Sequence, residues 1–480
     1  MTATKHVIAV DLGAESGRVM RVDFDGTRLN MSEVHRFPNV PVMAGGTLHW
    51  DALRLWKDIS DGIRAASAGA AGIGVDTWGV DFALLDRDGR LLANPVHYRD
   101  RRIDGMMEWV FARMPRREVF QRTGIQIMPI NGLYQAASLV RDNSPLLDAA
   151  HTYLTIADLF NYWLSGAKTC EFTHATTQQM YNPAADDWDR ELLSRMELPT
   201  RLFPEIVQPG TVIGAYEGIK VILPACHDTG SAVVAVPTTT ENYAYLSSGT
   251  WSLLGLEVNA PIINDAAYEA NLTNEGGVYG TFRLLKNITG MWLVAQCRAV
   301  WNARGTTYEY AHLKQLALET EPYLALIDPD DPAFFAPDDM PAAIQDFCRR
   351  TNQPVPETVG QITRTVYESL ALKYRTVLDK LIAVSGKTVD KLHIIGGGSQ
   401  NDLLCQMTAD AIGRPVVAGP SEGTAIGNAV VQLITLGELG DLKQARAMLA
   451  ETVGTVTYEP KNVAAWEDQY ARFKNIMTTT

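Results

Sequence analysis

Two short turns of small residues, each set between apolar strands, constrain what this chain of 480 residues can fold into. The first turn is "DLGAESGR" at 11–18, and the second is "SSGTWS" at 247–252. Turns of this type aim several backbone N–H groups into one concavity, which suits phosphate oxygens. A tight β-hairpin that needs glycine explains either turn when it is taken alone. The occurrence of one such turn in each half of the chain therefore favours a phosphate-binding role.

The segments around these turns alternate between strand and helix patterns, which predicts an α/β protein. The opening residues predict an antiparallel meander of three strands, and residues 51–67 predict an amphipathic helix. We expect the buried face of that helix to carry Leu53, Trp56, Ile59 and Ile63. A second, long helix is predicted to end at Gly386 and to bury the apolar residues Ile362, Val366, Leu370, Tyr374, Val377 and Leu381.

The length of the chain is enough for two large domains. The stretch "AVPTTTEN" at 235–242 interrupts the periodicity and predicts a domain crossing. After it, "YAYLSSGTWSLLGLEV" repeats the opening in outline as strand, small-residue turn and strand. We therefore predict domains at 1–238 and 239–480.

Composition excludes several classes of function. The 42 Lys and Arg residues against 55 Asp and Glu residues leave a net charge of −13, which disfavours binding to nucleic acid or to an anionic membrane. The 5 cysteines are scattered and never in a CxxC spacing, so neither a disulfide framework nor a zinc site is indicated. No apolar run has the length of a signal-peptide core or a membrane helix, and we expect a cytoplasmic protein.

Three stretches match familiar sequence motifs only in part. "HDTG" at 227–230 resembles an aspartic-protease loop, but such an enzyme needs two carboxylates and the chain has one "DTG". "LIAVSGKT" at 381–388 has Leu381 where a P-loop requires glycine. "AAGIGVDT" lacks the third glycine of a dinucleotide-binding turn.

Several residues remain as candidates for chemistry, each with a structural alternative. Asp228 stands where a helix can begin, so it is either an N-terminal cap or a general base toward a sugar hydroxyl. Asp11 ends a strand and either initiates a turn or holds Mg²⁺ through water. Trp78 either lies in the core or offers an apolar platform to a sugar. The glycines at 396–398 allow either close packing or the approach of an adenosine.

Seven stretches, found in the same order between about residue 7 and about residue 440, together resemble the FGGY carbohydrate kinases of the actin and sugar-kinase superfamily. They are "AVDLGAESGRVM", "GVDTWGVDFALLDRDG", "HYRDRR", "HDTGSAV", "YLSSGTWSLLGLE", "NITGMWL" and "HIIGGGSQNDLLCQMTADAIGRPVVAGPSEGTAIGN". The resemblance implies two ribonuclease-H-like α/β domains with a central cleft, the sugar held mainly by the N-terminal domain and ATP mainly by the C-terminal one.

The resemblance also implies site residues by position. Asp228 matches the proton acceptor, and Asp11 and Asp228 match positions associated with Mg²⁺. The positions that match sugar contacts are Trp78, Gly79, His227, Asp228, Thr229 and Asn287. The positions that match ATP contacts are Ala14, Glu15, Ser16, Gly17, Arg18, Thr250 and Gly397. A nucleotide-contacting glutamine of the family is replaced here by Ala295, with Gln296 next to it.

The implied activity is ATP-dependent phosphorylation of a ketose. The motifs are most similar to those of family members that act on L-rhamnulose at O1. L-fuculose, L-ribulose and D-xylulose remain alternative substrates, and a member that binds sugar and nucleotide without turnover remains an alternative of another class. We expect ATP, Mg²⁺ and a small ketose as ligands, no nucleic-acid or membrane partner, and either a monomer or a homodimer.

Overall fold

The computed structural model describes residues 4–479, which divide into two compact units. The first unit contains the residues up to Thr239 together with Glu257–Leu284 and Gly423–Thr452. The second unit contains Thr240–Leu256, Leu285–Glu422 and the residues from Val453 onward. Neither unit is one continuous segment, because two pieces of the C-terminal half fold with the first unit. The assignment of sugar binding to 1–238 and of ATP binding to 239–480 stays a prediction.

The strands alternate with helices along the chain. In chain order the strands are β1 (Lys5–Leu12), β2 (Ser16–Phe24), β3 (Leu29–Pro38), β4 (Val42–Ala44), β5 (Thr47–His49), β6 (Gly72–Thr77), β7 (Phe82–Leu85), β8 (Thr152–Thr155), β9 (Cys170–Glu171), β10 (Tyr181–Asn182), β11 (Asp187–Trp188), β12 (Ile206–Val207), β13 (Val212–Tyr216), β14 (Ile219–Ile222), β15 (Tyr243–Ser248), β16 (Trp251–Val258), β17 (Thr273–Gly276), β18 (Phe282–Thr289), β19 (Lys391–Ile395), β20 (Val416–Ala418) and β21 (Val456–Tyr458).

The helices are, in the same order, α1 (Ala52–Ala66), α2 (Met106–Phe111), α3 (Arg116–Thr123), α4 (Gly132–Arg141), α5 (Pro145–Ala149), α6 (Ile156–Ser165), α7 (Phe172–Thr177), α8 (Arg190–Arg195), α9 (Asp228–Val234), α10 (Asp265–Glu269), α11 (Trp292–Ala303), α12 (Tyr310–Leu318), α13 (Met340–Arg350), α14 (Val359–Ser385), α15 (Asp402–Ile412), α16 (Gly423–Thr435), α17 (Leu442–Thr452) and α18 (Val463–Thr479). Within residues 4–479, no helix is long and apolar enough to cross a membrane.

The main sheet of the first unit runs in the order β13, β14, β6, β1, β2, β3. Strands β1, β2 and β3 form the predicted antiparallel meander, whereas β6 lies parallel to β1 on its other side. The five residues that precede Leu12 on β1 include four apolar side chains that are fully buried. Helix α16 packs on β1 and on α9, and its Gln432 donates from Nε2 to the Ile8 carbonyl at 2.9 Å. A helix from late in the sequence therefore completes the core of this unit.

Helix α1 corrects one prediction. The sequence pattern predicts Leu53 on the buried face, but its side chain is 61% exposed, while Leu55 is buried. Ile59 and Ile63 lie on the buried face as predicted. The face is set by packing on β2 and β3, and the spacing 55, 59, 63 fits the helical period better than a series that begins at 53.

The sheet of the second unit has neighbouring strands in the order β16, β15, β19, β20, β21. Its longest helix, α14, begins with a capping box at Thr358 and Gln361 and ends at Gly386, which has the left-handed conformation that glycine favours. The six apolar residues predicted to share one face of this helix are all buried. The five cysteines of the chain are buried free thiols.

Candidate active site

Three aspartates of the first unit approach one another where parallel strands end. Asp11 on β1 and Asp76 on β6 are register partners, so both carboxylates lie at the carboxyl end of the sheet. The Thr77 N–H donates to the Cys226 carbonyl at 2.9 Å, which brings the segment before Asp228 alongside β6. Ligands of open α/β sheets bind at the carboxyl ends of their strands, so this edge is the candidate active site of the unit.

Asp11 is paired with Arg18 across the first turn. The Arg18 guanidinium donates to one Asp11 oxygen from Nε at 3.0 Å and from Nη2 at 2.7 Å. The two residues face each other in the antiparallel register of β1 and β2. The sequence predicts Mg²⁺ at Asp11 and ATP at Arg18, and the structure joins these two side chains to each other. Both ligand roles stay predictions.

Asp76 is a fully buried carboxyl group that sequence reasoning passed over. Burial, followed by the charge of Asp11, raises its pKa well above the ordinary value. One oxygen accepts from Asn428 Nδ2 at 2.6 Å, and the other has no hydrogen-bond partner among the described residues. This setting favours the neutral form of the Asp76 carboxyl group.

Asp228 is the first residue of α9, and its side chain is 31% exposed. Its Oδ1 accepts from the Thr229 backbone N–H at 2.5 Å and from the Thr229 hydroxyl at 3.2 Å. Burial by the surrounding protein and the charge of Asp11 raise the pKa of Asp228, with a net increase. A general base works best with a pKa close to the working pH, so the direction of this shift suits proton abstraction.

His227 lies between Asp228 and a tight turn at Gly79. Its Nε2 is 3.5 Å from Asp228 Oδ1, and a Cβ atom placed on Gly79 would lie 3.2 Å from the same nitrogen. Val80 follows with φ of +68°, a strained value for a β-branched residue. The Val80 N–H donates to Thr177 Oγ1 at 3.1 Å, which holds the turn in this conformation. Glycine at 79 therefore lets the backbone of the turn approach the imidazole more closely than a larger residue would allow.

Trp78 packs inside an aromatic cluster. Its indole N–H donates to Asp81 at 2.8 Å, and its ring lies 4.3 Å from that of Trp50, which donates to the same Asp81 oxygen at 2.6 Å. Burial raises the pKa of Asp81 to about 6. These contacts identify Trp78 as a packed residue that supports the turn at Gly79, and its contact with a sugar stays a prediction.

A buried glutamate anchors the segment that carries His227 and Asp228. Glu171 accepts hydrogen bonds from Thr173 and from the His174 N–H at the start of α7, and from the Cys226 N–H at 3.1 Å. The His227 N–H donates to Thr173 Oγ1 at 3.1 Å. The catalytic candidate is thereby tied to α7 through its two preceding residues.

The first small-residue turn occupies the gap between β1 and β2. The Gly13 N–H donates to the Ser16 carbonyl at 2.9 Å, and Ala14 and Glu15 form the turn, with Glu15 exposed. Gly17 faces the core, because a Cβ atom there would overlap the Phe37 ring. Packing alone thus explains Gly17. The Asn39 N–H donates to the Glu15 carbonyl at 3.0 Å, and the contact of this turn with ATP stays a prediction.

The second turn and the triple glycine lie in the second unit. Thr250 is half-buried between β15 and β16, and its carbonyl accepts from the Trp292 N–H at 3.0 Å. Gly396 has φ of +84°, and a Cβ atom on Gly398 would overlap Ser248 Oγ. A Cβ atom on Gly397 would meet nothing within 4 Å. Of the three glycines, Gly397 alone faces open space, which is consistent with its predicted role at an adenosine.

Asn287 is half-buried on β18 in the second unit, unlike the other predicted sugar contacts, which lie in the first. Its neighbour Lys286 belongs to a buried group of charges. Burial lowers the pKa of Lys286 to about 8. Lys373 on α14 contacts Asp328 at 2.6 Å and Asp330 at 2.9 Å. Ala295 and Gln296 on α11 are both half-buried, so the predicted nucleotide contact of Gln296 stays open.

Comparison with protein families accounts for most of the chain. Residues 6–221 match the N-terminal domain of the FGGY family of carbohydrate kinases, and residues 244–436 match its C-terminal domain. The chain belongs to the FGGY family. Its motifs are therefore those of a carbohydrate kinase, a phosphotransferase with an alcohol group as acceptor.

Relatives within the FGGY family align over nearly the full length. A rhamnulokinase of Bacteroides thetaiotaomicron is 47% identical over 98% of this chain and 99% of that protein. A rhamnulokinase of Pectobacterium atrosepticum is 41% identical over 98% and 96%. The predicted resemblance, which is greatest to rhamnulokinases, is confirmed by these relatives.

Solved FGGY-type structures share the fold. A ligand-bound xylulose kinase of Lactobacillus acidophilus has a TM-score of 0.80 at 17% identity, covering 99% of this chain and 98% of that one. A glycerol kinase of Plasmodium falciparum with ADP has a TM-score of 0.78 at 14% identity, with the same coverage. The prediction of a two-domain α/β fold is confirmed.

The residues present fit Mg²⁺ only in part. Within residues 4–479, no group of three or more His, Cys, Asp or Glu side chains is arranged to hold a metal ion. Mg²⁺ in phosphoryl-transfer enzymes commonly takes one or two carboxylates and completes its shell with water and substrate phosphates. Asp11 and Asp228 can supply those carboxylates, so the donor set suits an ion that arrives with ATP.

Sequence reasoning missed three buried charged residues around the site, namely Asp76, Glu275 and Arg283. Asp76 and Glu275 stand in strands that are buried along their whole length, "GIGVDT" and "TNEG", and Arg283 is buried within the half-buried strand "FRLLKNIT". A charged residue in such a strand is costly unless it is paired, so its presence there was the available signal.

Proposed function

We propose that this protein transfers the γ-phosphate of ATP to O1 of L-rhamnulose, forming L-rhamnulose 1-phosphate in the breakdown of rhamnose. The observation that carries the proposal is the position of Asp228. It lies at the start of α9 beside His227 and Gly79, in a chain that aligns from end to end with relatives named rhamnulokinase. Because ATP is the cosubstrate, we place the reaction in the cytoplasm.

In this proposal Asp228 accepts the proton of the attacking hydroxyl. Its pKa is raised, so the Asp228 carboxylate is a stronger base than that of an ordinary aspartate. The nearby Asp76 is fully buried, which leaves Asp228 as the proposed acceptor. His227 and Thr229 orient the sugar next to Asp228, and Gly79 lets the turn approach His227 closely.

The phosphate groups are assigned to the two small-residue turns. We propose that Ala14, Glu15, Ser16, Gly17 and Arg18 contact ATP from the first unit, and that Thr250 and Gly397 contact it from the second. Asp11 and Asp228 would hold the magnesium ion. When bound, that ion offsets negative charge on the phosphate oxygens.

The test is the initial rate of ADP release with MgATP and a panel of L-rhamnulose, L-fuculose, L-ribulose, D-xylulose and glycerol. We expect the highest kcat/KM for L-rhamnulose. A higher value for another ketose would contradict the substrate and leave the chemistry standing. ATP binding without ADP release on any sugar would contradict the kinase assignment and favour a non-catalytic member of the family.

A further inference from the structure

A buried arginine contacts the imidazole of His227 on the side away from Asp228. Arg283 lies on β18 within the first unit, and its side chain is 0% exposed. Its Nη2 is 3.1 Å from His227 Nδ1 with hydrogen-bond geometry, and its Nε donates to the Gly276 carbonyl at 2.8 Å. The guanidinium is therefore fixed at two points and meets the imidazole with an N–H group.

Glu275 on β17 competes for the same imidazole nitrogen. Its Oε2 is 3.1 Å from His227 Nδ1 and 3.2 Å from Arg283 Nη2. The contact of Arg283 Nη2 with Nδ1 has hydrogen-bond geometry, whereas its contact with Glu275 Oε2 is an ion pair. Arg283 therefore occupies the lone pair of Nδ1 and keeps Glu275 from accepting a hydrogen bond from that nitrogen.

The chemistry of arginine decides which nitrogen of the imidazole carries the hydrogen. A guanidinium has donors and no acceptor, so Nδ1 must accept in the bond with Arg283. In a neutral imidazole the other nitrogen, Nε2, then carries the hydrogen. Nε2 is on the side of Asp228, 3.5 Å from its Oδ1, and lies next to the turn at Gly79.

We propose that Arg283 is a positioning residue that fixes His227 as an Nε2–H donor toward a substrate oxygen held next to Asp228. The proposal deepens the function above and rests on it for the identity of the substrate. It concerns the direction of a hydrogen bond and requires no change in the charge of His227. Glu275 balances the buried guanidinium and is not needed for the tautomer.

Removal of Arg283 should reverse the tautomer. Without the guanidinium, Glu275 Oε2 is the nearest partner of Nδ1 and would accept its hydrogen. Nε2 would then present a lone pair to Asp228 and to the lone pairs of the sugar oxygen. The sugar would lose a donor and meet a repulsive contact, while the ATP contacts proposed for the turns would be untouched.

The tautomer can be read by NMR of the full chain labelled with ¹⁵N-histidine, because protonated and unprotonated ring nitrogens have distinct shifts. The signals of His227 are assigned from their loss in His227→Gln. We expect Nε2–H in the wild type and in Glu275→Gln, and Nδ1–H in Arg283→Met. Nδ1–H in the wild type, or Nε2–H retained in Arg283→Met, would overturn the proposal.

A second variant covers the case in which Arg283→Met does not fold, since it leaves Glu275 buried without its partner. The double variant Glu275→Leu, Arg283→Met removes both charges and leaves Nδ1 without a fixed donor. We expect a mixture of tautomers in this variant. Pure Nε2–H in it would equally overturn the role of Arg283.

Kinetics separate this role from a general loss of structure. We expect Arg283→Met to lower kcat/KM for the ketose about 10- to 100-fold, the range found when a group that orients a functional imidazole is removed. The KM for ATP should not change, and Arg283→Lys should recover part of the activity. The NMR measurement does not depend on turnover. A wild-type protein that releases no ADP with any of the sugars would therefore refute the proposed function. The NMR shifts would still show which nitrogen of His227 carries the hydrogen.

Discussion

The two units bury ionisable groups of opposite sign, and they stabilise them differently. In the first unit the group consists of Asp11, Asp76 and Asp228, and in the second it is centred on Lys286 and Lys373. Burial favours the neutral form in both places, since it raises the pKa of Asp76 and lowers the pKa of Lys286 to about 8.

The difference lies in the partners. Burial lowers the pKa of Lys373, but Asp330 and Asp328 outweigh that effect, so the net shift is upward and the ammonium stays charged. Asp76 has no cation within hydrogen-bond distance among the described residues, and its bond from Asn428 is outweighed by burial and by Asp11. Ion pairs thus outweigh the effect of burial at Lys373 in the second unit, whereas burial and the charge of Asp11 prevail at Asp76 in the first.

The substitution with the largest expected effect removes the candidate base, Asp228. Asp228→Asn should lower kcat by about two to four orders of magnitude, because the amide cannot accept the hydroxyl proton. The KM for ATP should change little. Steady-state kinetics with L-rhamnulose check this, with Asp88→Asn, an exposed aspartate, as the control. A folded Asp228→Asn protein with a near-normal rate would exclude Asp228 as the base.

The next effect tests the ion pairs of the second unit. Lys373→Met should lower the free energy of unfolding by about 1–3 kcal/mol, because it removes the cation that contacts Asp328 and Asp330 and leaves Lys286 as the nearby positive charge. Denaturant titration checks this, with the exposed Lys461→Met as the control. Equal midpoints for the two variants would mean that the pairs contribute nothing to stability.

A matched pair of glycine substitutions sharpens the comparison of the two turns. Gly17→Ala should cost about 1–3 kcal/mol, since the new methyl group overlaps Phe37 and Leu12. Gly397→Ala should change stability by no more than about 0.5 kcal/mol, because its Cβ meets nothing within 4 Å. We expect the KM for ATP to rise in Gly397→Ala. A larger loss of stability in Gly397→Ala than in Gly17→Ala would contradict the packing role of Gly17 and the open position of Gly397.

The fold and the motif residues could be predicted from local sequence patterns. Features that depend on contacts between residues far apart in the sequence could not be predicted in this way. The meander, the long helix α14 and the strand before the triple glycine follow from periodicity and from cap residues within a few positions. The burial of Leu55 in place of Leu53 depends on how α1 meets the sheet. The Arg283 contact with His227 joins residues 56 positions apart, and no local signal encodes that register.

The smallest expected effect concerns the raised pKa of Asp76. The pKa of Asp76 is raised in the folded protein, so the folded state binds the proton more tightly and stability falls as pH rises above the ordinary aspartate value. Asp76→Asn removes this dependence, and we expect its stability at pH 7 to equal or exceed that of the wild type by about 1 kcal/mol. Unfolding measured from pH 4 to pH 8 checks the slope. If the dependence of the free energy of unfolding on pH is the same in Asp76→Asn as in the wild type, another ionisable group causes it.

The interrupted segments of the first unit bear on the order in which the protein can be made. Glu275 and Arg283 are synthesised after the body of that unit, and α16, which packs on β1 and α9, follows about 140 residues later. A nascent chain that ends near residue 240 thus contains Asp228 but neither Arg283, which contacts His227, nor the helix that covers the sheet. The first unit begins first and is completed late, so a protein shortened before residue 423 would lack α16, a core element of the unit whose other segments it still contains.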